Sequence, residues 1–269
     1  MEEENPKVKV LFLAIYNETP HYIQMYKSHV NYLNYLKHKY NNDKTDTSIH
    51  NHIPIPKYYF VIFKDLGNKE YFVDDKNYML YINGRETFVP GILDKTIKAL
   101  DVIHNKLKLE YDFIFRTNIS TFIHFENTFS YLKKFAEESQ KEMFYIGPAV
   151  TLQWLDPVCG IVDKRYWGTK YCTGTCIMMS YALVENIIRN REKIHYNIID
   201  DVSIGHYVSQ VKNVKKINIG TSLFSFKPHN LILNRNHLCY PNNCNKLRRK
   251  FDVDYLRKIT EYFINTYYK

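Results

Sequence analysis

Apolar residues run almost unbroken from Val8 to Tyr16, the pattern of a strand covered on both faces. The run stops at Asn17-Glu18-Thr19-Pro20, polar residues suited to a turn. Tyr22, Tyr26, Val30, Leu33 and Leu36 then recur at spacings of three and four, which predicts an amphipathic helix to about Tyr40. Asn41 to Asn51 is polar but for Ile49 and reads as a loop. Tyr58 to Phe63 is a second apolar run, so the chain opens strand–helix–strand, the signature of an α/β fold with a largely parallel sheet.

The alternation continues. Short strands are expected at Glu70 to Val73 and Tyr78 to Ile82. Leu93, Ile97, Leu100, Ile103 and Leu107 mark a second helix begun near Pro90. Tyr111 to Phe115 is a third core strand that runs straight into the polar segment Arg116-Thr117-Asn118-Ile119-Ser120-Thr121. Ligands of open α/β sheets sit beyond the carboxyl ends of strands, so this segment lies where a ligand is expected. If it stays extended, Arg116, Asn118 and Ser120 share one face. Glu126 to Ala136 reads as helix, Met143 to Val150 as strand, and Thr151 to Lys170 as a loop bearing both tryptophans, Trp154 and Trp167.

The densest chemistry lies between Tyr171 and Gly205. Tyr171-Cys172-Thr173-Gly174-Thr175 predicts a tight turn feeding the apolar strand Cys176 to Ser180, followed by a helix from Tyr181 to Arg191. Asp200 and Asp201 then open a helix to about Gln210, flanked by Ile198, Ile199, Val202 and Ile204. Two acids in so apolar a setting suit proton transfer; a helix cap is the plainer use of the same residues. Val214 to Ile219 and Leu223 to Phe226 read as strands. A helix on Val253, Leu256, Ile259, Phe263 and Tyr267 closes the chain, and no linker or repeat divides it, so one domain over 1–269 is the expectation.

Composition adds limits rather than a function. The 269 residues carry a net charge of +9, with 24 tyrosines and 16 phenylalanines. That charge suits an anionic ligand such as a nucleotide diphosphate, but it is spread without a long basic run and no nucleic-acid-binding motif accompanies it. Five cysteines, an odd number, fit reduced thiols. An acidic start, Met1-Glu2-Glu3-Glu4, and the lack of an apolar run near ~20 residues predict a cytoplasmic protein with no membrane span, in a host cytoplasm if the source is viral.

Four segments, in order, resemble the GT-A glycosyltransferases, in particular the β-1,3-glycosyltransferase branch of galactosyltransferase and Fringe types. Gly91-Ile92-Leu93-Asp94-Lys95-Thr96 is similar to that family's Asn-Leu-Thr-Leu-Lys-Thr block. Tyr111 to Ile123 resembles its strand ending in Lys-Thr-Asp-Asp-Asp-x-Phe-Val. Tyr171-Cys172-Thr173-Gly174-Thr175 and Asp200-Asp201-Val202-x-x-Gly205 resemble its Tyr-Cys-Ser-Gly-x-Gly and Glu-Asp-Val-x-x-Gly blocks. Viral and bacterial glycosyltransferases with an Arg-Thr-Asn-x-Ser block look closer still.

The resemblance implies a GT-A-like, mainly parallel sheet flanked by helices. A nucleotide-binding half would span about 7–125, an acceptor half about 143–235 and a closing helix about 252–267. The implied reaction is inverting transfer of a sugar from a nucleotide sugar, most simply a UDP-sugar, to a hydroxyl of a glycan or glycoprotein, with Asp201 as base. Tyr16, Asn17, Arg85, Lys95, Arg116, Thr117, Asn118, Ser120, Gly174, Thr175 and Lys227 would bind the donor. Trp154, Trp167 and Asp200 would face the acceptor.

The alternatives are a non-catalytic sugar- or nucleotide-binding protein and a retaining transferase on the same fold. One departure changes the chemistry: Asn118-Ile119-Ser120 stands where the family carries three aspartates. Mn²⁺ and Mg²⁺ prefer anionic oxygen ligands, so metal binding is expected to be weak or absent. His229 is where a C-terminal metal ligand would fall. Arg116, Lys227 and Arg85 are then the cations for a leaving diphosphate.

Overall fold

The computed structural model describes residues 8–42, 56–220, 239–241 and 248–267. Within these, β1 (Val10–Ile15) leads into α1 (Pro20–Asn42), then β2 (Lys57–Lys64), β3 (Tyr71–Asp74), β4 (Met79–Asn83) and α2 (Gly91–Asp101). β5 (Phe113–Asn118), β6 (Thr121–Ile123), α3 (Phe125–Lys133), β7 (Met143–Gly147) and β8 (Ala149–Thr151) follow. The rest comprises β9 (Lys170–Cys172), β10 (Ile177–Ser180), α4 (Tyr181–Arg189), α5 (Asp200–Gln210), β11 (Val214–Asn218), β12 (Cys239–Pro241) and α6 (Arg248–Tyr262).

Eight strands form one sheet in the order β11-β7-β10-β5-β1-β2-β4-β3. The run β5-β1-β2-β4 is parallel throughout, as is β11-β7, while β10 lies antiparallel between β5 and β7 and β3 closes the far edge antiparallel. The expected α/β architecture is therefore present as a mixed, mainly parallel sheet.

Period-two alternation explains why β1 is apolar at every position. Val10, Phe12 and Ala14 join one core with Tyr32 and Leu36 of α1, Phe129 of α3 and Leu256 of α6. Leu11, Leu13 and Ile15 join the other with Leu93 and Ile97 of α2, Leu183 of α4 and Ile204 of α5. Helices thus cover both faces, and a strand in the middle has no solvent side to mark with polar residues.

Local differences from the sequence pattern have local causes. The second helix does not run evenly to Leu107: after Asp101 it widens into a π turn over Val102–Lys106, where the Leu107 amide donates to the Val102 carbonyl at 2.8 Å. The strand expected over 143–150 breaks at Pro148, which cannot donate to a ladder, and its second part leaves the main sheet to pair with β9 as β8. The loop 151–170 carries two short 3₁₀ turns, Pro157–Cys159 and Lys164–Tyr166. The strand expected at Leu223 to Phe226 lies outside the described residues. No helix among the described residues is long and apolar enough to cross a membrane.

Candidate active site

Because β5, β1, β2 and β4 are parallel, their carboxyl ends share one edge, and β10 begins there because Ile177 pairs with Arg116. The turn 173–176 therefore sits directly beside the polar end of β5. Thr117 donates from Oγ1 to the Thr175 carbonyl at 2.8 Å, and Thr173 and Thr175 join their hydroxyls at 2.8 Å. β9, just before that turn, packs against α5. Gly205 makes this possible: any Cβ there would overlap the Tyr171 side chain. The Gly of the Asp-Val-x-x-Gly block is thus a close-approach glycine that brings the start of α5 over Gly174.

The two acids at that helix start diverge. Ile199, not an aspartate, is the N-cap residue, so neither acid is a capping side chain. Asp200 turns inward to a buried ion pair with Arg116, the two side chains being 4% and 1% exposed. Arg116 also donates to the Gly174 carbonyl and, at 3.0 Å, to Asn118 Oδ1. Its guanidinium is thus shared among three partners, and a Cβ on Gly174 would stand 2.7 Å from Nη1. Arg116 thus accounts for glycine at this position without any ligand.

Asp201 is half-buried and turns the other way. Its Oδ2 accepts from the Gly174 amide at 3.0 Å and its Oδ1 from the Val202 amide at 2.9 Å. Enclosure of the carboxyl group, and then the negative charge of Asp200, push its pKa up to about 6 from 3.8, against the pull of the Gly174 amide, Arg116 and the Val202 amide. The result is an acid of raised pKa, beside a turn, at the carboxyl edge of the sheet.

A second cation closes the other side. Lys95, in the first turns of α2, is 1% exposed; its ammonium donates to the Tyr16 carbonyl at 2.7 Å and to Glu86 Oε2 at 2.7 Å. Burial lowers the Lys95 pKa, and Glu86 acts in the opposite direction. Glu86 also accepts the Phe63 amide at 3.0 Å, tying the ends of β2 and β4 to the lysine. Nothing in the sequence pattern marks Glu86, an acid in a short polar stretch; its partner is nine residues away on another element.

Other expected residues fall as follows. Tyr16 is buried at the end of β1, and Asn17 accepts the Thr19 amide at 3.1 Å as α1 begins. Arg85 is exposed and forms no ion pair with the described residues. Ser120 does not share the face of Arg116 and Asn118: β5 ends at Asn118, and Ser120 lies in the next turn, fully buried, its hydroxyl without a partner among the described residues. Trp154 and Trp167 are 45% and 41% exposed on the 151–170 segment, which touches the start of α5 through the Ile199 amide and the Cys159 carbonyl at 2.8 Å. Lys227 and His229 lie outside the described residues.

These residues do not suit a divalent cation of the kind the GT-A resemblance implies. Asn118 Oδ1 is engaged by Arg116, Ser120 is sealed, and Asp200 is spent on a guanidinium. Among the described residues no three His, Cys, Asp or Glu side chains converge as a metal site. A concavity lined by Lys9, His104, Tyr111, Gln140 and Tyr181 lies at the opposite, amino-terminal end of β1 and β5, away from all of these groups.

The galactosyltransferase family model matches residues 79–219, more than half of the chain, from β4 to just past β11. No curated protein matches it.

Proposed function

Since the chain belongs to the galactosyltransferase family and is a glycosyltransferase, we propose that it transfers a sugar from a UDP-sugar to a hydroxyl with inversion, Asp201 acting as the base. The observation that carries this reading is the Asp201 carboxyl group, enclosed at the sheet's carboxyl edge, oriented by the Gly174 amide and raised to about 6. A base with that pKa is ionised at neutral pH yet still basic enough to draw a proton from an attacking hydroxyl.

In this scheme the acceptor oxygen forms its bond to the anomeric carbon from the face opposite the diphosphate. The carbon–oxygen bond to phosphate breaks with its electron pair going to UDP, and the hydroxyl proton ends on Asp201. The Arg116–Asp200 pair acts as a positioning device: it fixes Gly174, which in turn fixes Asp201. This moves Asp200 from the acceptor side and Arg116 from direct diphosphate binding. The diphosphate is instead met by Lys95, whose partner Glu86 is partly exposed and exchangeable, and by Arg85 at the rim. Asn17 and Asn118 line the nucleotide end, and the 151–170 segment the acceptor end. With cations in these places the reaction proceeds without Mn²⁺ or Mg²⁺, in keeping with Asn118 and Ser120 standing where aspartates would hold a metal.

UDP release from a panel of UDP-sugars, each with EDTA and with Mn²⁺, tests this in the wild type and in Asp201→Asn. Sugar-selective release that survives EDTA and collapses in the variant is expected. Release only with Mn²⁺ sinks metal independence. Product of retained anomeric configuration sinks the inverting step, and a variant as active as wild type removes Asp201 as base.

A further inference from the structure

Five of the seven large apolar side chains that stand exposed among the described residues belong to one stretch: Trp154, Leu155, Val158, Val162 and Trp167. Single exposed apolar residues are ordinary; this clustering is not. The stretch is an ordered strap. Its base is cinched where the Leu152 amide donates to the Thr169 carbonyl and the Gly168 amide to the Leu152 carbonyl, each at 2.9 Å. Its middle is closed by a two-way backbone bridge between Asp156 and Ile161.

Leu152, Ile161 and Tyr166 point inward to a small core with Tyr171, Ile198 and Val202, and the Tyr166 hydroxyl bonds His195 Nδ1 at 3.0 Å. The strap therefore buries one apolar set against the base of α5 and displays a second one outward. Its charges are biased the same way. Asp163 pairs with Arg165 at 2.6 Å; Asp156 accepts the Cys159 amide at 3.2 Å and keeps its charge, and Lys164 and Lys170, exposed and without ion pairs among the described residues, leave the strap a net +1. Lys164 lies over the Trp167 ring at 4.7 Å.

Tryptophans with neighbouring aliphatic tips and unpaired lysines have the chemistry of a bilayer interface, where indoles settle at the headgroups and lysines meet anionic lipid. We propose that this strap docks the enzyme on an anionic phospholipid bilayer, so that the acceptor hydroxyl is offered from a membrane surface. The proposal deepens the transferase reading by naming where the acceptor resides, and its test does not depend on catalysis.

The chain's only two tryptophans are both in the strap, so fluorescence excited selectively at tryptophan, beyond the absorption of the 24 tyrosines, reports on it. The full chain is mixed with vesicles of phosphatidylcholine, with or without phosphatidylserine, and with vesicles carrying brominated acyl chains. Expected are binding that needs phosphatidylserine and weakens with salt, a blue shift, and quenching by bromine. Val158→Asp with Val162→Asp should abolish binding at the same lipid concentration, and Lys164→Glu should weaken it on the order of fivefold or more.

Asp201→Asn should lose transfer and still bind vesicles, which separates failure of the transferase reading from failure of docking. Four results overturn the proposal. They are no binding, binding with unshifted and unquenched tryptophans, emission already blue-shifted in the free protein and unchanged by vesicles, and a shift produced by soluble glycans instead of vesicles.

Discussion

Two buried cations hold the carboxyl edge of the sheet, and they are held in opposite ways. Arg116 and its partner Asp200 are both sealed, at 1% and 4% exposure, and the guanidinium is further fixed by a carbonyl and an amide oxygen. Lys95 is as deeply buried, but its partner Glu86 is 36% exposed. A closed pair has no spare charge to offer a ligand, and breaking it strands an ion in the interior. An open pair exchanges one anion for another at little cost, because the released carboxylate can be solvated. On the proposed mechanism the first serves geometry and the second receives a phosphate, although the sequence shows both merely as a basic residue after or before an apolar run.

Several substitutions would break or sharpen that contrast. Asp201→Asn, between the two pairs, should lower kcat by about 10²–10⁴ with donor affinity kept. The raised pKa also means that native Asp201 holds its proton more readily than the unfolded chain does. The stabilising effect of that proton is full below about 3.8 and lost as pH rises through about 6. The Asn variant should therefore be more stable than wild type at pH 7 by about 1 kcal/mol, converging with it near pH 4, as urea melts at the two pH values would show.

Arg116→Met should cost about 3–5 kcal/mol in thermal or urea unfolding, since Asp200 is left buried and unpaired. The double variant with Asp200→Leu should recover much of that stability and none of the activity. If activity returned as well, the pair would not be positioning Gly174. Gly174→Ala, which sets a methyl group against Arg116, should cost about 1–3 kcal/mol and reduce kcat more than it raises donor KM.

Lys95→Met releases a carboxylate that water can reach. It should cost only about 1 kcal/mol of stability while raising donor KM by on the order of tenfold. Equal stability losses at Arg116 and Lys95 would erase the distinction between the two pairs. Arg85→Ala, at an exposed residue, is the smallest case, with stability within about 0.5 kcal/mol of wild type and only a modest rise in donor KM.

The elements behind this site were largely legible in the sequence. The unbroken run of β1, the three-and-four spacing of α1 and the start of α5 at Asp200 each follow from a pattern local to the residues involved. So did the turn at Gly174. Partners were not legible. Arg116 meets Asp200, 84 positions further along the chain, and Lys95 meets Glu86 on a different element, and neither pairing leaves a periodic trace.

Without those partners Arg116 reads as a free cation and Asp200 as an acceptor contact, and nothing local shows that a Cβ on Gly174 would crowd a guanidinium. Ser120 misleads for a different reason. The extended face it would share with Arg116 ends two residues early, because the chain turns at Ile119–Ser120 to start β6. That short strand, paired with the distant β12, has no local signal strong enough to announce it.

The central claim is that Asp201, raised by its enclosure and by Asp200, takes the acceptor's proton. The most direct test is the pH dependence of kcat/KM for sugar transfer. The account predicts an acid limb with an apparent pKa of about 6 in the wild type, and in Asp201→Asn a small residual rate that no longer follows that limb. A wild-type limb near the ordinary carboxylate value, or the same limb persisting in Asp201→Asn, would contradict it.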